Sequence, residues 1–182
     1  KTPLHPVIIM ATKKTSMFTL TERITVSAGA TETFATIDLG SYVDVGDRQA
    51  LQIHSVDYIF QGTTPGADLQ SDLGNGAECH VQLTDLNRGG LIFANDRALV
   101  SSGTLAIDSN GGRDRVADLY PDNFGKGSDD GRFVVNDQLY CTALATSLVA
   151  PVNVTIRVNA SIVTLGAKDF MAIAIQSTAA DN

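Results

Sequence analysis

The sequence predicts an all-β protein, an antiparallel double-sheet sandwich of the jelly-roll type with about eight strands and an extended N-terminal arm. The clearest observation is the segment from Val152 to Thr164, where apolar residues at even positions up to Ile162 alternate with Asn, Thr, Arg and Ser at odd positions. Side chains of a strand alternate between two faces, so this segment is a strand with one buried and one wet face. Long one-sided strands are typical of sandwiches and closed sheets. Turn-forming residues recurring roughly every ten positions favour the same class.

Composition fits one globular domain over residues 17–182 that follows an arm over residues 1–16. Hydrophobic residues make up 43% of the chain, which is enough for a core, whereas charged residues make up only 18%. We expect no transmembrane segment, because no apolar run approaches the roughly 20 residues that span a bilayer. We expect no direct nucleic-acid binding, because the net charge is −7 and the basic residues do not cluster.

The N-terminal arm contains an apolar run that we expect to dock on another surface. Pro3 and Pro6 favour an extended start, and a polar segment follows the run. Exposed apolar residues in a row are a liability on a monomer. Docking on the protein's own sheet and docking on a neighbouring subunit both remain open. The predicted subunit-contact residues are Val7, Ile8, Ile9 and Met10.

Alternating or apolar segments elsewhere predict further strands. A change of phase near His54 and Ser55 predicts a β-bulge inside one of them. The other strand predictions are Phe18 to Val26, Thr33 to Leu39, Leu51 to Phe60, Glu78 to Leu83, Leu91 to Phe93, Ala98 to Val100, Thr104 to Ile107, Arg132 to Val135 and Leu139 to Leu148.

Two segments rich in Gly and Asp, residues 62–76 and 108–131, are predicted to be loops. At the C-terminal end, the apolar residues from Phe170 to Ile175 fit either a final strand or a short helix. The shared phase of Met171, Ile173 and Ile175 favours a strand.

The acidic loop could hold a structural calcium ion, because carboxylate and amide oxygens on flexible backbone suit this cation. The spacing of an EF-hand is not met. Turn formation explains the same residues, since Asp and Asn bond to their own backbone. The candidate ligands are Asp108, Asn110, Asp114, Asp129 and Asp130.

Other reactive residues give no catalytic pattern, and we expect the protein not to be an enzyme. Cys79 and Cys141 fit either two buried thiols or one cross-strand disulfide. His54 and His80 each lie in a predicted strand, and no nucleophile signature accompanies them.

Two glycosylation sequons begin at Asn153 and Asn159, both on the predicted wet face of the long strand. Chance predicts between one and two sequons in a chain so rich in Ser and Thr, so they carry no functional signal.

The whole chain resembles single jelly-roll viral capsid (coat) proteins in five features. These are the strand count, the long regular strands, an extended arm over residues 1–16, loops rich in Thr, Gly and Asn, and the lack of catalytic motifs. The resemblance implies a self-assembling structural subunit of a virion, whose arm and loops contact other copies or other coat proteins, without a cofactor.

Two further classes stay open. An extracellular surface-layer or filament subunit at the cell surface would assemble by strand complementation. A carbohydrate-binding β-sandwich module is disfavoured by the aromatic content of 6% and the lack of Trp. An enzyme on a cupin-like barrel lacks the expected His-rich motif.

Overall fold

Two five-stranded antiparallel sheets pack face to face in the computed structural model, which describes residues 11–27, 29, 31–108, 114–121, 124–125 and 130–178. The elements in chain order are β1 (Ala11–Lys13), β2 (Phe18–Val26), β3 (Thr33–Asp38), β4 (Gln49–Gln61), α1 (Leu69–Leu73), β5 (Glu78–Thr84), β6 (Leu99–Ile107), β7 (Asp114–Tyr120), β8 (Arg132–Val134), β9 (Gln138–Thr146), β10 (Val152–Leu165) and α2 (Ala167–Thr178).

The strand order is that of a jelly roll. Sheet A has the order β1-β10-β4-β8, with β2 also paired to β10, and sheet B has the order β3-β9-β5-β6-β7. The chain crosses repeatedly from one sheet to the other, since β2, β4, β8 and β10 lie in sheet A and β3, β5 and β9 in sheet B. The predicted antiparallel double-sheet jelly roll is therefore confirmed, with ten strands among the described residues, of which β1 and β8 have only three residues each.

Strand β10 supplies the centre of the core, as its alternation predicts. Its apolar residues from Val152 to Ala160 are fully buried at every second position. On the other face Arg157 is exposed, and the Asn and Thr residues are half-buried. The residues that meet this apolar face from sheet B are Cys79, Val81, Leu83, Leu139, Cys141 and Ala143.

The predicted β-bulge is confirmed at His54. In the ladder between β10 and β4, Asn159 pairs with Ser55 and Ala160 pairs with Ile53, so His54 is the inserted residue. Beyond the bulge both faces of β10 are buried from Ala160 to Val163. The change has a structural cause, because α2 covers the outer face of sheet A at this end.

The C-terminal segment is a helix, so the prediction of a final strand was wrong. Phe170, Ile173 and Ala174 recur at the spacing of a helical face and pack outside sheet A. The main-chain amide of Phe170 donates to the carbonyl of Gly166 at 2.9 Å, which closes the first turn. The segment forms a helix despite its alternating pattern because the helical face completes a second apolar cluster. The other residues of this cluster are Ala50, Phe133, Val135, Val163 and Leu165.

Three other predictions are corrected around sheet B. The two short strands predicted around Ser101 to Gly103 form one strand, β6. The strand has a glycine at position 103, where an added Cβ would lie only 2.9 Å from Cδ2 of Tyr58. The Tyr58 ring reaches across the sandwich from sheet A and needs this space. The predicted loop over residues 108–131 contains strand β7, and the loop over residues 62–76 contains the short helix α1.

The helix cluster predicts that Phe170→Ala costs about 3 kcal/mol of unfolding free energy, because a large buried side chain leaves a cavity. Urea unfolding at equilibrium measures this loss. The matched control is Met171→Ala, whose side chain is 58% exposed and which should change the unfolding free energy by less than about 0.5 kcal/mol. Equal small effects would show that α2 is not packed on sheet A.

Candidate functional site

The segment between β5 and β6, residues 85–98, lies over the outer face of sheet B and is here called the EF-type loop. The label denotes only its place between two consecutive strands and has no relation to the calcium-binding EF-hand. At its base, the amide of Asp85 donates to the carbonyl of Ala98 at 3.0 Å, which closes the loop. Outward-facing residues of β5 lie under it, because His80 and Gln82 occupy the positions that alternate with the buried Cys79, Val81 and Leu83. The loop is therefore a layer added to the sandwich.

Side chains of the sandwich bind the backbone of this loop. The amide group of Gln82 both donates to the carbonyl of Ile92 and accepts from its N–H, each at 2.8 Å. Glu32 accepts from the N–H of Leu91 at 2.9 Å. Leu91 to Phe93 is consequently not the strand that the sequence predicted, because side chains instead of a neighbouring strand satisfy its backbone.

An ion pair between a buried carboxylate and a half-buried guanidinium holds the base of the EF-type loop to sheet A. Asp85 is only 3% exposed, and Nη2 of Arg132 on β8 donates to its Oδ2 at 2.8 Å. The same Nη2 donates to the carbonyl of Arg97 at 2.6 Å. Nδ2 of Asn136 donates to the carbonyl of Asp85 at 2.5 Å. These contacts tie the loop to both sheets.

Burial raises the pKa of Asp85 above its ordinary value of 3.8, although the Arg132 guanidinium opposes the shift. Burial dominates because Oδ1 of Asp85 has no hydrogen-bond partner among the described residues, so half of the carboxylate has lost water without compensation. Arg88 also lowers the pKa, by a smaller amount.

Phe93 occupies the apex of the EF-type loop and is 87% exposed. Its carbonyl accepts from the amide of Asp96 at 3.0 Å, which forms a turn. Asp96 in turn pairs with Nε of Arg88 at 3.2 Å and accepts from the amide of Ala98 at 2.9 Å. An exposed aromatic ring thus projects from a loop whose backbone and base are held by hydrogen bonds and ion pairs.

An open cleft of about 670 Å³ lies between the loop and strands β5, β6, β7 and β9. Ile92, Phe93 and Leu144 contribute apolar surface, and Tyr120 contributes a second exposed ring. A smaller cleft of about 280 Å³ borders the exposed Phe34 on β3. The outer face of sheet B therefore offers an apolar contact surface with Phe93 as its most prominent side chain.

The part of the outer face of sheet A that α2 does not cover is polar, and it contains both sequon residues. Oδ1 of Asn159 accepts from Thr19 and Oδ1 of Asn153 accepts from Thr25, both at 2.7 Å. Their Nδ2 atoms donate to Oγ of Ser55 at 2.9 Å and to the carbonyl of Gly62 at 3.1 Å. Both side-chain amide nitrogens therefore already donate hydrogen bonds to neighbouring residues of the sheet.

The structure does not bring the histidines together. His54 on sheet A bonds through Nε2 to Oγ of Ser161 at 2.8 Å, and burial and the Lys13 charge lower its pKa. His80 on sheet B bonds through Nδ1 to Oγ1 of Thr104 at 2.9 Å. Within the described ranges, no group of three or more His, Cys, Asp or Glu side chains could hold a metal ion.

The calcium and arm predictions fall largely outside the described residues. Asn110 and Asp129 lie in segments that the structure does not describe, and of Asp114 only the backbone is described, as the start of β7. Asp108 and Asp130 are described and belong to no metal-binding group among the described residues. The calcium site stays a prediction. The apolar run of the arm, residues 7–10, also lies outside the described residues, whereas Ala11–Lys13 pairs with β10 as β1.

Cys79 and Cys141 are buried free thiols, one of the two alternatives that the sequence left open. In the ladder of β5 and β9, Cys79 pairs with Ala145 and Cys141 pairs with Leu83. The offset of four residues separates them by about 13 Å, too far for a disulfide. Burial raises the pKa of both thiols to about 12.

Sequence reasoning missed the EF-type loop and the residues that position it. Gln82 and Asp85 gave only a weak signal, a polar residue on the outer face of a strand and an acidic residue directly after one. Their partners lie far away in the sequence, and only the folded sheets bring Arg132 to Asp85. In the described part of the chain, no helix is long and apolar enough to cross a membrane.

Comparison with known proteins gives little beyond the architecture. No protein-family profile matches the chain, and no curated protein is similar to it in sequence. A solved structure from Desmodium yellow mottle tymovirus is similar over 91% of this chain and 96% of that chain, at 9% sequence identity and a TM-score of 0.34. The jelly-roll architecture rests on the strand order of the two sheets and not on this match.

The raised pKa of Asp85 predicts how stability depends on pH. Since the folded-state pKa exceeds the unfolded value, the carboxyl group adds stability below the unfolded pKa and loses it as pH rises through the folded pKa. On acidification from about pH 7 to about pH 4, wild type should therefore gain unfolding free energy relative to Asp85→Asn. Urea unfolding of both proteins at each pH tests this. A relative loss on acidification would show that Arg132 lowers the pKa instead.

Buried thiols with a raised pKa predict that the native protein resists thiol reagents. At about pH 8 roughly one thiol in 10,000 is ionised when its pKa is about 12. A colorimetric disulfide reagent should label neither cysteine in the native protein and both after unfolding in guanidinium. Rapid labelling of the native protein would contradict the burial of Cys79 and Cys141.

Proposed function

We propose that the protein is a structural subunit that self-assembles, most specifically a viral coat protein whose copies form the shell of a virion through arm and loop contacts. The observation that carries the proposal is Phe93, an aromatic ring 87% exposed on a loop fixed by Gln82, Glu32, Arg88 and Asp85. Together with the apolar lining of the adjacent cleft, this ring forms an exposed apolar patch, and large exposed apolar patches mark contact surfaces.

The fixed loop supports an interface because it is already ordered before contact, so that association loses little conformational entropy in the loop. Rigid presentation reduces the entropy that association must overcome. Aromatic anchors are also enriched among the residues that dominate binding energy at interfaces. The ring and the adjacent cleft give the outer face of sheet B the shape of a contact surface for another copy of this chain or for another coat protein.

A non-enzymatic role is part of the proposal. The polar groups that the structure brings together hold the EF-type loop, and the Asp85 carboxylate is buried against Arg132. The jelly roll itself serves capsids, lectins and cupins alike, so the fold does not decide between them.

Removal of the Phe93 ring should prevent assembly. Phe93→Ser is expected to cost about 2 kcal/mol or more at each contact, which weakens the contact about 30-fold. Light scattering should then give the 19.2 kDa subunit, whereas wild type gives particles that electron microscopy resolves as closed shells. The matched control is Val45→Ser, a side chain 52% exposed in a turn outside this surface, which should assemble as wild type does.

Thermal unfolding of both variants checks that the fold is intact. Assembly of Phe93→Ser to the wild-type extent would remove Phe93 from the interface. Wild-type filaments or sheets would favour the surface-layer or filament alternative, and a wild-type monomer would overturn self-assembly and direct attention to glycan binding at the cleft.

A further inference from the structure

Helix α2 exposes an apolar stripe on the side that sheet A does not cover. Met171 and Ile175 are each 58% exposed, and residues four apart lie on the same face of a helix. The opposite face packs on sheet A through Phe170, Ile173 and Ala174. The helix is therefore anchored by one face and presents a second apolar surface to its surroundings.

The N-terminal arm enters the described structure beside this helix. Ala11 pairs with Leu165 at the end of β10 and packs against the same apolar cluster as α2. The apolar run from Val7 to Met10 is attached directly to Ala11. At about 3.3 Å per residue, the run extends about 13 Å from that point.

The direction of β1 favours a path of the run away from its own subunit. Strand β1 is antiparallel to β10 with Ala11 opposite Leu165, so an extended chain before Ala11 would continue past the Leu165 end of the sheet. Helix α2 begins just after Leu165 and packs back over sheet A. Covering its own helix would require the arm to reverse, but the run contains no Gly, Pro, Asn or Asp and its β-branched residues favour extended backbone.

We propose that Val7 to Met10 of one copy packs across Met171 and Ile175 on the α2 helix of a neighbouring copy. The inference rests on the proposed self-assembly and names the surface that receives the arm. Two apolar surfaces that would each be exposed on a monomer cover one another in this contact. Exchange of a terminal segment between identical copies is a low-cost route to assembly.

A disulfide trap tests the contact. The variant Ile9→Cys with Met171→Cys is assembled under reducing conditions, oxidised mildly and run on a non-reducing gel. We expect covalent dimers and higher multimers, because docking raises the effective concentration of the two thiols. The native thiols do not interfere, since Cys79 and Cys141 are buried.

The matched control pairs Ile9→Cys with Val149→Cys, which is 72% exposed and precedes β10 at the end of sheet A opposite Leu165. Multimers should form at least about fivefold less readily in the control, where no docking raises the effective concentration. The single variants Ile9→Cys and Met171→Cys measure the crosslinking that random collision produces. Met171→Ser is a second variant that keeps the arm intact, and it should reduce the yield of assembled particles.

The remaining outcomes separate the two proposals. A disulfide within one chain, which moves as a fast monomer on the gel, would show that the arm covers its own helix and would overturn the inference. Multimers no more abundant than in the control would overturn it as well. Electron microscopy of the wild-type protein decides the rest, because wild-type particles together with a double variant that gives no interchain crosslinks leave the proposed function standing, whereas a lack of wild-type particles overturns both.

Discussion

The register of β10 is the constraint on which the rest of the structure depends. This strand pairs with β2 and β1 along one side and with β4 along the other, so it sets the position of nearly all of sheet A. A slip of one residue would exchange its two faces. Asn153, Arg157 and Asn159 would then enter the core in place of Val154, Ile156 and Val158, and a buried unpaired Arg alone would cost several kcal/mol.

The outer face of sheet A changes from polar to apolar close to the bulge at His54. Before the bulge, Thr and Asn side chains of β2 and β10 bond to one another in contact with water. Beyond it, Val163 and Leu165 point outward and need an apolar cover, which α2 and Ala11 provide. The helix is therefore a consequence of the pattern of β10, since an uncovered pair of apolar residues at the end of a sheet would remain in water.

Local periodicity predicted most of the fold and almost none of the candidate site, for physical reasons. The strand from Phe18 to Val26 was predicted to the residue because its burial alternates. The helix at Phe170 was missed because Met171, Ile173 and Ile175 imitate a strand over a short segment, and only the apolar patch outside sheet A decides between the two. The EF-type loop was missed because Gln82 and Ile92 interact through a side chain and a backbone, a contact that no periodicity records.

The two proposed contact surfaces lie on opposite sides of the sandwich, and this placement decides what kind of assembly they would form. Phe93 projects from the outer face of sheet B, whereas Met171 projects from the helix that covers the outer face of sheet A. A single self-complementary surface closes after two copies, as a dimer. Different surfaces on opposite faces make head-to-tail contacts, which continue until a ring closes or a filament grows. A subunit with both surfaces is therefore suited to an extended assembly, and the angle between successive copies determines whether that assembly is a closed shell.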